Sequence, residues 1–195
     1  MAKRIVCELK RHISFTALGA VTGVAIMVAA VLGNVPSEVS YTAFNILHPI
    51  HVVLSALVTT AMYTKYRRKA WIAILIGYTG SVGIATISDV IIPYLGGTLL
   101  QLEIEFHLPF IEKWWLINPL ALTGIAIGYW KHTTRIPHSG HVLLSTWASL
   151  FYFLTFGTAE WIPLLPFVFL FLFLAVWLPC CTSDIVYPLI FIKKK

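Results

Sequence analysis

The chain has 195 residues, 58% of them hydrophobic and 11% charged, with a formal net charge of +6 and a mean hydropathy of +0.84. No soluble domain of this size is so apolar, so the composition predicts an integral membrane protein. Basic loops against anionic lipid headgroups explain the positive charge, which gives no support to a nucleic-acid partner.

A membrane span needs about 20 apolar residues. Six stretches qualify: 13–32, 45–64, 70–93, 115–130, 139–158 and 162–179. Of the 14 basic residues, all but Lys113 then fall on one side, in the N-terminal segment, in the loops at 65–69 and 131–135, and at the C-terminal Lys193–Lys195. The bias of Lys and Arg toward cytoplasmic loops predicts a multi-pass protein of the cell membrane with both termini cytoplasmic. The first span is too long, and too closely followed by others, to read as a cleaved signal peptide. Cys7, Cys180 and Cys181 are all expected on the cytoplasmic side, reduced and without a disulfide framework.

In chain order, the first span carries Thr22-Gly23-Val24-Ala25-Ile26, and a loop with Gly33, Asn34 and Pro36 is expected at 33–44. The second span opens with His48-Pro49-Ile50-His51 and continues to Ser55, and the third closes with Ser88-Asp89 and Pro93. Gly96-Gly97 is expected to break the third span. Glu103, Glu105, His107 and Glu112 follow among apolar residues, and Trp114-Trp115 suits an aromatic belt, so 96–114 reads as an interfacial segment on the outer face. The fourth span carries Thr123-Gly124-Ile125-Ala126-Ile127. The fifth opens with His138-Ser139-Gly140-His141 and continues to Ser145. The sixth ends in Cys180-Cys181, Ser183-Asp184 and Pro188.

Three motifs thus recur in the same order at nearly the same spacing, the mark of an internal duplication. An odd number of spans in each copy forces the second to be inverted. The predicted architecture is an all-α bundle of six transmembrane helices, a 3+3 inverted repeat. Residues 1–95 form the first unit, 96–114 the outer segment and 115–195 the second unit. Many secondary transporters are built this way, with the site at the repeat interface. The chain resembles inverted-repeat metal exporters of similar size in architecture alone. A bundle this thin is compatible with a homodimer.

The repeated residues carry chemistry. His48 and His51 are three apart and share a helix face. Counting along the third span places Asp89 at their depth, near the outer surface. Two imidazoles and a carboxylate suit Zn²⁺ first, or Fe²⁺ or Mn²⁺, and His107, Glu103 or Glu105 are candidate further ligands. The same set, His138, His141 and Asp184, is expected near the inner surface, with Cys180 and Cys181 biasing that station toward softer metals. Ionisable groups inside spans are costly and mark function by default. The structural alternatives are interfacial histidines reaching water, Ser-Asp pairs capping a helical turn before a break, and cysteines as small filler. Ser145 is expected to bond the carbonyl four residues back or to support a histidine. The Thr-Gly-x-Ala-Ile echo is expected to mark close helix packing.

The resulting expectation is a transporter of a divalent metal ion with paired stations on opposite faces. An alternative is a metal-dependent intramembrane hydrolase acting on lipid or peptide at one active station. The Ser-Gly-His run at 139–141 resembles an element of lipid-phosphate phosphatases, but no histidine follows His141 and no arginine follows Arg135, which excludes that chemistry. Haem ligation needs histidines on facing helices at one depth; the two His pairs are expected on opposite faces, and His12 is the candidate partner for His138 or His141 at the inner side.

Overall fold

A computed structural model gives the fold. It describes the backbone of residues 2–131 and 135–191, and side chains within them except at 2–12, 135–138, 181, 184, 185 and 189. The chain is almost wholly helical. Four helical stretches are long and apolar enough to cross a membrane: Ile13–Leu32, Ser37–Thr64, Ala70–Leu99 and Trp161–Cys180. Large apolar side chains such as Leu18, Val21, Trp71, Leu95, Leu122, Leu170 and Leu178 stand exposed on the outside of the bundle. Long apolar helices with a greasy exterior are the make-up of an all-α membrane protein.

Helix α1 (Ala2–Leu32) stops because Asn34 takes a left-handed conformation, φ 48°. Its N–H then bonds Val31 O at 3.1 Å and the Val35 N–H bonds Ala30 O at 2.9 Å, a Schellman closure. Helix α2 (Ser37–Thr64) starts directly after Pro36. The connection expected at 33–44 is therefore confined to about four residues, and α2 begins well before residue 45.

Helix α3 (Ala70–Leu99) is one composite helix with two π turns, Thr79–Gly83 and Ile87–Ile91. It runs straight through Gly96-Gly97, which was expected to break it. These glycines serve contact instead. A Cβ at Gly96 would lie 2.8 Å from the Phe171 ring, and one at Gly97 2.9 Å from Ile104. The helix ends with a second Schellman closure at Gln101, φ 56°.

The following stretch holds a two-residue strand, β1 (Glu103–Ile104), and a helical turn at Pro109–Glu112. Then come α4 (Trp114–Trp130), α5 (Arg135–Phe156), β2 (Gly157–Thr158) and α6 (Trp161–Cys181). β1 and β2 pair antiparallel, Glu103 with Thr158 and Ile104 with Gly157. Beyond α6 a π turn at Thr182–Val186 leads into a last helical turn, Tyr187–Ile190.

Helix α2 is the centre of the bundle and packs on both α4 and α5. Its contacts with α5 run Tyr41 with Phe156, Phe44 with Tyr152, His51 with His141 and Leu54 with Gly140, so the two helices are antiparallel. α1 packs against α5 and α6, and α4 against α2 and α3. The Thr-Gly echoes sit at these seams. Gly23 faces Thr146 and Leu172, and Gly124 lies against Ala56 and the Val53 carbonyl. Gly124 lacks room for a larger side chain, and an added Cβ at Gly23 would make ordinary contact across its seam.

Candidate functional site

The site begins with an irregularity in α3. At its second π turn the Ile92 N–H bonds Ile87 O, five residues back. The next residue, Pro93, has no N–H to give. The Ser88 carbonyl is thereby left without a helical donor, and the Ser149 hydroxyl of α5 reaches it at 2.9 Å, its one proton shared with Ser145 O at 2.8 Å. π turns of this kind are frequent at functional sites. Here the turn places Ser88 and Asp89 in the interior, both fully buried.

Asp89 receives four hydrogen bonds. Its Oδ2 accepts from His48 Nδ1 at 2.9 Å and from His51 Nδ1 at 2.7 Å. Its Oδ1 accepts from the hydroxyls of Ser88 at 2.7 Å and Ser145 at 2.8 Å. A carboxylate has about four lone-pair sites, so Asp89 is saturated. Bonding to a carboxylate puts the ring proton of each histidine on Nδ1 and leaves Nε2 with its lone pair. His48 is further held by stacking on Phe44, ring centres 5.4 Å apart.

His51 Nε2 is buried and has no hydrogen-bond partner among the described residues. His51 stacks on His141, with ring centres 5.6 Å apart and planes within 2° of parallel. Cys180 closes the group. One nitrogen of each imidazole and Cys180 Sγ lie within 4.8 Å of one another, and all three residues are buried. Cys180 Sγ also donates to Ser145 Oγ at 3.8 Å, tying the thiol to the Asp89 network. An ion held tetrahedrally at about 2.0–2.3 Å keeps such ligands roughly 3.4–3.7 Å apart, so the side chains would draw in by about an ångström around it. Two imidazoles and a thiol, one imidazole oriented by a carboxylate through its other nitrogen, match the donor set of zinc-type sites.

No protein-family model matches the chain, and no curated protein and no solved structure matches it. The site is therefore read from its own chemistry.

His48, His51 and Asp89 meet, the grouping expected from the first half. His141 and Cys180 were expected in a separate station on the opposite face, and they adjoin His51 instead. The cause is the early start of α2. His51 stands in the middle of this 28-residue helix, about 21 Å from its beginning at ~1.5 Å per residue, where antiparallel α5 brings His141 alongside. Asp89 orients imidazoles, and its lone pairs are already engaged. The side chains of His138, Cys181 and Asp184 lie outside the described residues.

His107 is placed elsewhere. Its Nε2 lies 3.2 Å from Glu105 and its Nδ1 3.3 Å from Glu112, and its ring stacks on Phe156. Both ring nitrogens are thus turned to carboxylates outside the buried cluster. Glu103 is exposed in β1. Ser145 reaches across to Asp89, where bonding back along its own helix was also expected. Ser88 and Ser149 are site residues that their sequence positions did not single out, although the recurrence of Ser-Asp was visible.

Hydroxyls run from the cluster in two directions. Along α5, Ser145 and Ser149 lead to Tyr152, whose OH donates to Glu105 O at 3.0 Å and accepts from the His107 N–H at 3.2 Å. Along α2, Thr59 lies 3.2 Å from Ser183 Oγ, which donates to Gly80 O at 3.0 Å, and Thr60 and Thr64 continue toward the basic residues 65–69. Ser149 of α5 thus reaches the second π turn of α3, and Thr59 of α2 reaches the π turn beyond α6.

Proposed function

We propose that this chain is a multi-pass membrane transporter of a divalent metal ion, Zn²⁺ foremost, with one binding site formed by His51, His141 and Cys180. The observation that carries the reading is the convergence of these three donors, fully buried, around a His51 held by Asp89. Buried imidazole and thiol with an unengaged Nε2 are poor choices for structure alone and suit a borderline metal.

The architecture that goes with this function is six spans in a 3+3 inverted repeat with both termini cytoplasmic. Three observations support it. Both Ser-Asp motifs lie in π turns followed by a proline-bearing helical turn. Both Thr-Gly motifs pack on a helix of the other half. All the basic residues but Lys113 fall to one side of six spans. In this arrangement the site lies where the halves meet, as in other inverted-repeat carriers, and the two lines of hydroxyls lead from it toward opposite faces.

The alternative of an intramembrane metal-dependent hydrolase draws on one feature, three protein ligands leaving a fourth position open for water. Against it, the cluster side chains are all fully buried, and the cavity at the end of α2 is lined by other residues, 64–68.

The test is metal analysis of the protein purified with Zn²⁺, followed by flux into proteoliposomes. One Zn²⁺ per chain, lost in His51→Ala, His141→Ala and Cys180→Ala together with flux, is the expected result. Bound Zn²⁺ without flux favours the enzyme. No Zn²⁺ retained by the parent protein overturns the metal reading.

A further inference from the structure

Resting on the metal reading above, we infer that Asp89 sets the charge of the accepted cation, selecting a divalent ion without touching it.

Asp89 is the only buried carboxylate among the described residues; Glu38, Glu103, Glu105, Glu112 and Glu160 are all exposed. Its four hydrogen bonds occupy both oxygens, so it serves the site as a fixed charge and as the anchor of His51. The ion is separated from this charge by one imidazole, bound through Nδ1 to Asp89 and through Nε2 to the metal.

The balance of charge follows from the donors. His51 and His141 ligate as neutral imidazoles, and Cys180 ligates as a thiolate with loss of its proton. Asp89 and the thiolate together carry two negative charges. A divalent cation brings the buried group to zero. A monovalent one is matched by the thiolate and leaves the charge of Asp89 as it stands in the empty site, so it gains less from that charge than a divalent ion does. The thiolate alone would suit a monovalent soft ion, and Asp89 shifts the balance to two positive charges. The donor types select softness, and Asp89 selects valence.

Asp89 therefore acts in two separable ways. Orienting His51 affects every metal that uses its Nε2. Its charge affects each ion in proportion to that ion's own charge, because Coulomb energy is a product of charges.

The experiment uses the full chain in detergent with Cys7→Ser and Cys181→Ser, so that Cys180 is its only thiol. Affinities for Zn²⁺ and for Ag⁺, a soft monovalent probe that is not readily reduced or oxidised by the thiol, are compared with and without Asp89→Asn. The loss for Zn²⁺ is expected to exceed that for Ag⁺ by about 10-fold, because the orientation part is common to both ions and the charge part scales with the charge of the ion. Equal fold-losses for both ions overturn the charge role and leave Asp89 as a positioning residue only. A Zn²⁺ loss under about threefold overturns both roles, since second-shell changes typically cost 10–100-fold. Asp89→Ala gives the same comparison if the buried amide prevents folding. If the parent binds neither ion, or Cys180→Ala leaves both affinities unchanged, the metal reading itself fails, a result distinct from failure of the charge role.

Discussion

His51 and His141 stack with ring centres 5.6 Å apart and planes 2° from parallel, one from each half of the chain. The two residues hold corresponding places in the recurring His-x-x-His motif. The surroundings are unequal, however. The position in the first half that corresponds to Cys180 is Ala85, buried and packed beside Val52 and Val82. One cluster with one thiol thus stands where two stations on opposite faces were expected.

Cys180→Ser tests what the thiol contributes. An alcohol is not a thiolate ligand at neutral pH, so the site keeps two imidazoles and loses its soft donor and one negative charge. Zn²⁺ affinity is expected to fall at least 10-fold, and the preference for Zn²⁺ over Mn²⁺ to narrow, as read by competition dialysis with elemental analysis. An unchanged Zn²⁺/Mn²⁺ ratio would remove Cys180 from the ligand set.

His107→Ala should leave metal content unaltered. Its two nitrogens face Glu105 and Glu112, and its exposed surroundings are unlike the buried cluster. Exposed pairs of this type contribute about 0–1 kcal/mol, so the melting temperature in detergent should also move little. A loss of bound Zn²⁺ comparable to that of His51→Ala would mean His107 reaches the site in another conformation.

Two glycines on helices make opposite predictions about stability. A Cβ at Gly124 runs into the Val53 carbonyl and Ala56, backbone and a short rigid side chain that cannot move aside. Gly124→Ala should destabilise by about 1–3 kcal/mol through overpacking of α4 on α2. At Gly83 nothing lies within 4 Å of an added Cβ, so Gly83→Ala should gain about 0.5–1 kcal/mol from reduced chain entropy. Thermal unfolding of both variants in one detergent checks the pair, and a destabilised Gly83→Ala would contradict the open space around it.

Much of this was legible in the sequence, for identifiable reasons. Apolar runs report burial in lipid directly, so the helical membrane class followed from composition. The His48–His51–Asp89 grouping followed from helix spacing and counting, because rise per residue is nearly constant. The place of His51 along α2 was misjudged because Ser37–Phe44 is mixed in character, with Glu38, Tyr41 and Thr42 beside Val39 and Phe44, so α2 seemed to start later than it does. That error moved His51 from the middle of its helix to the first turns and hid its meeting with His141. The Gly96-Gly97 break failed for a different reason: in a crowded helix pair, close approach of Phe171 and Ile104 uses glycine for its small size, and the helix continues. The π turn was not legible at all, since it depends on Pro93 and on a donor 61 positions away, Ser149.

That last dependence gives a double-mutant test. Ser149→Ala removes the donor to the Ser88 carbonyl, leaving a buried acceptor unpaired at a cost of about 1–3 kcal/mol. Pro93→Ala restores an N–H five residues after Ser88, which is the π partner that carbonyl lacks. In the Pro93→Ala background the Ser149 hydroxyl is no longer the sole donor, so Ser149→Ala should cost less there, by about 1 kcal/mol or more of coupling. Thermal unfolding of the two single variants and the double variant measures it. Additive effects would mean that the proline does not create the orphaned carbonyl, and that the turn presenting Asp89 to His48 and His51 is held by packing alone.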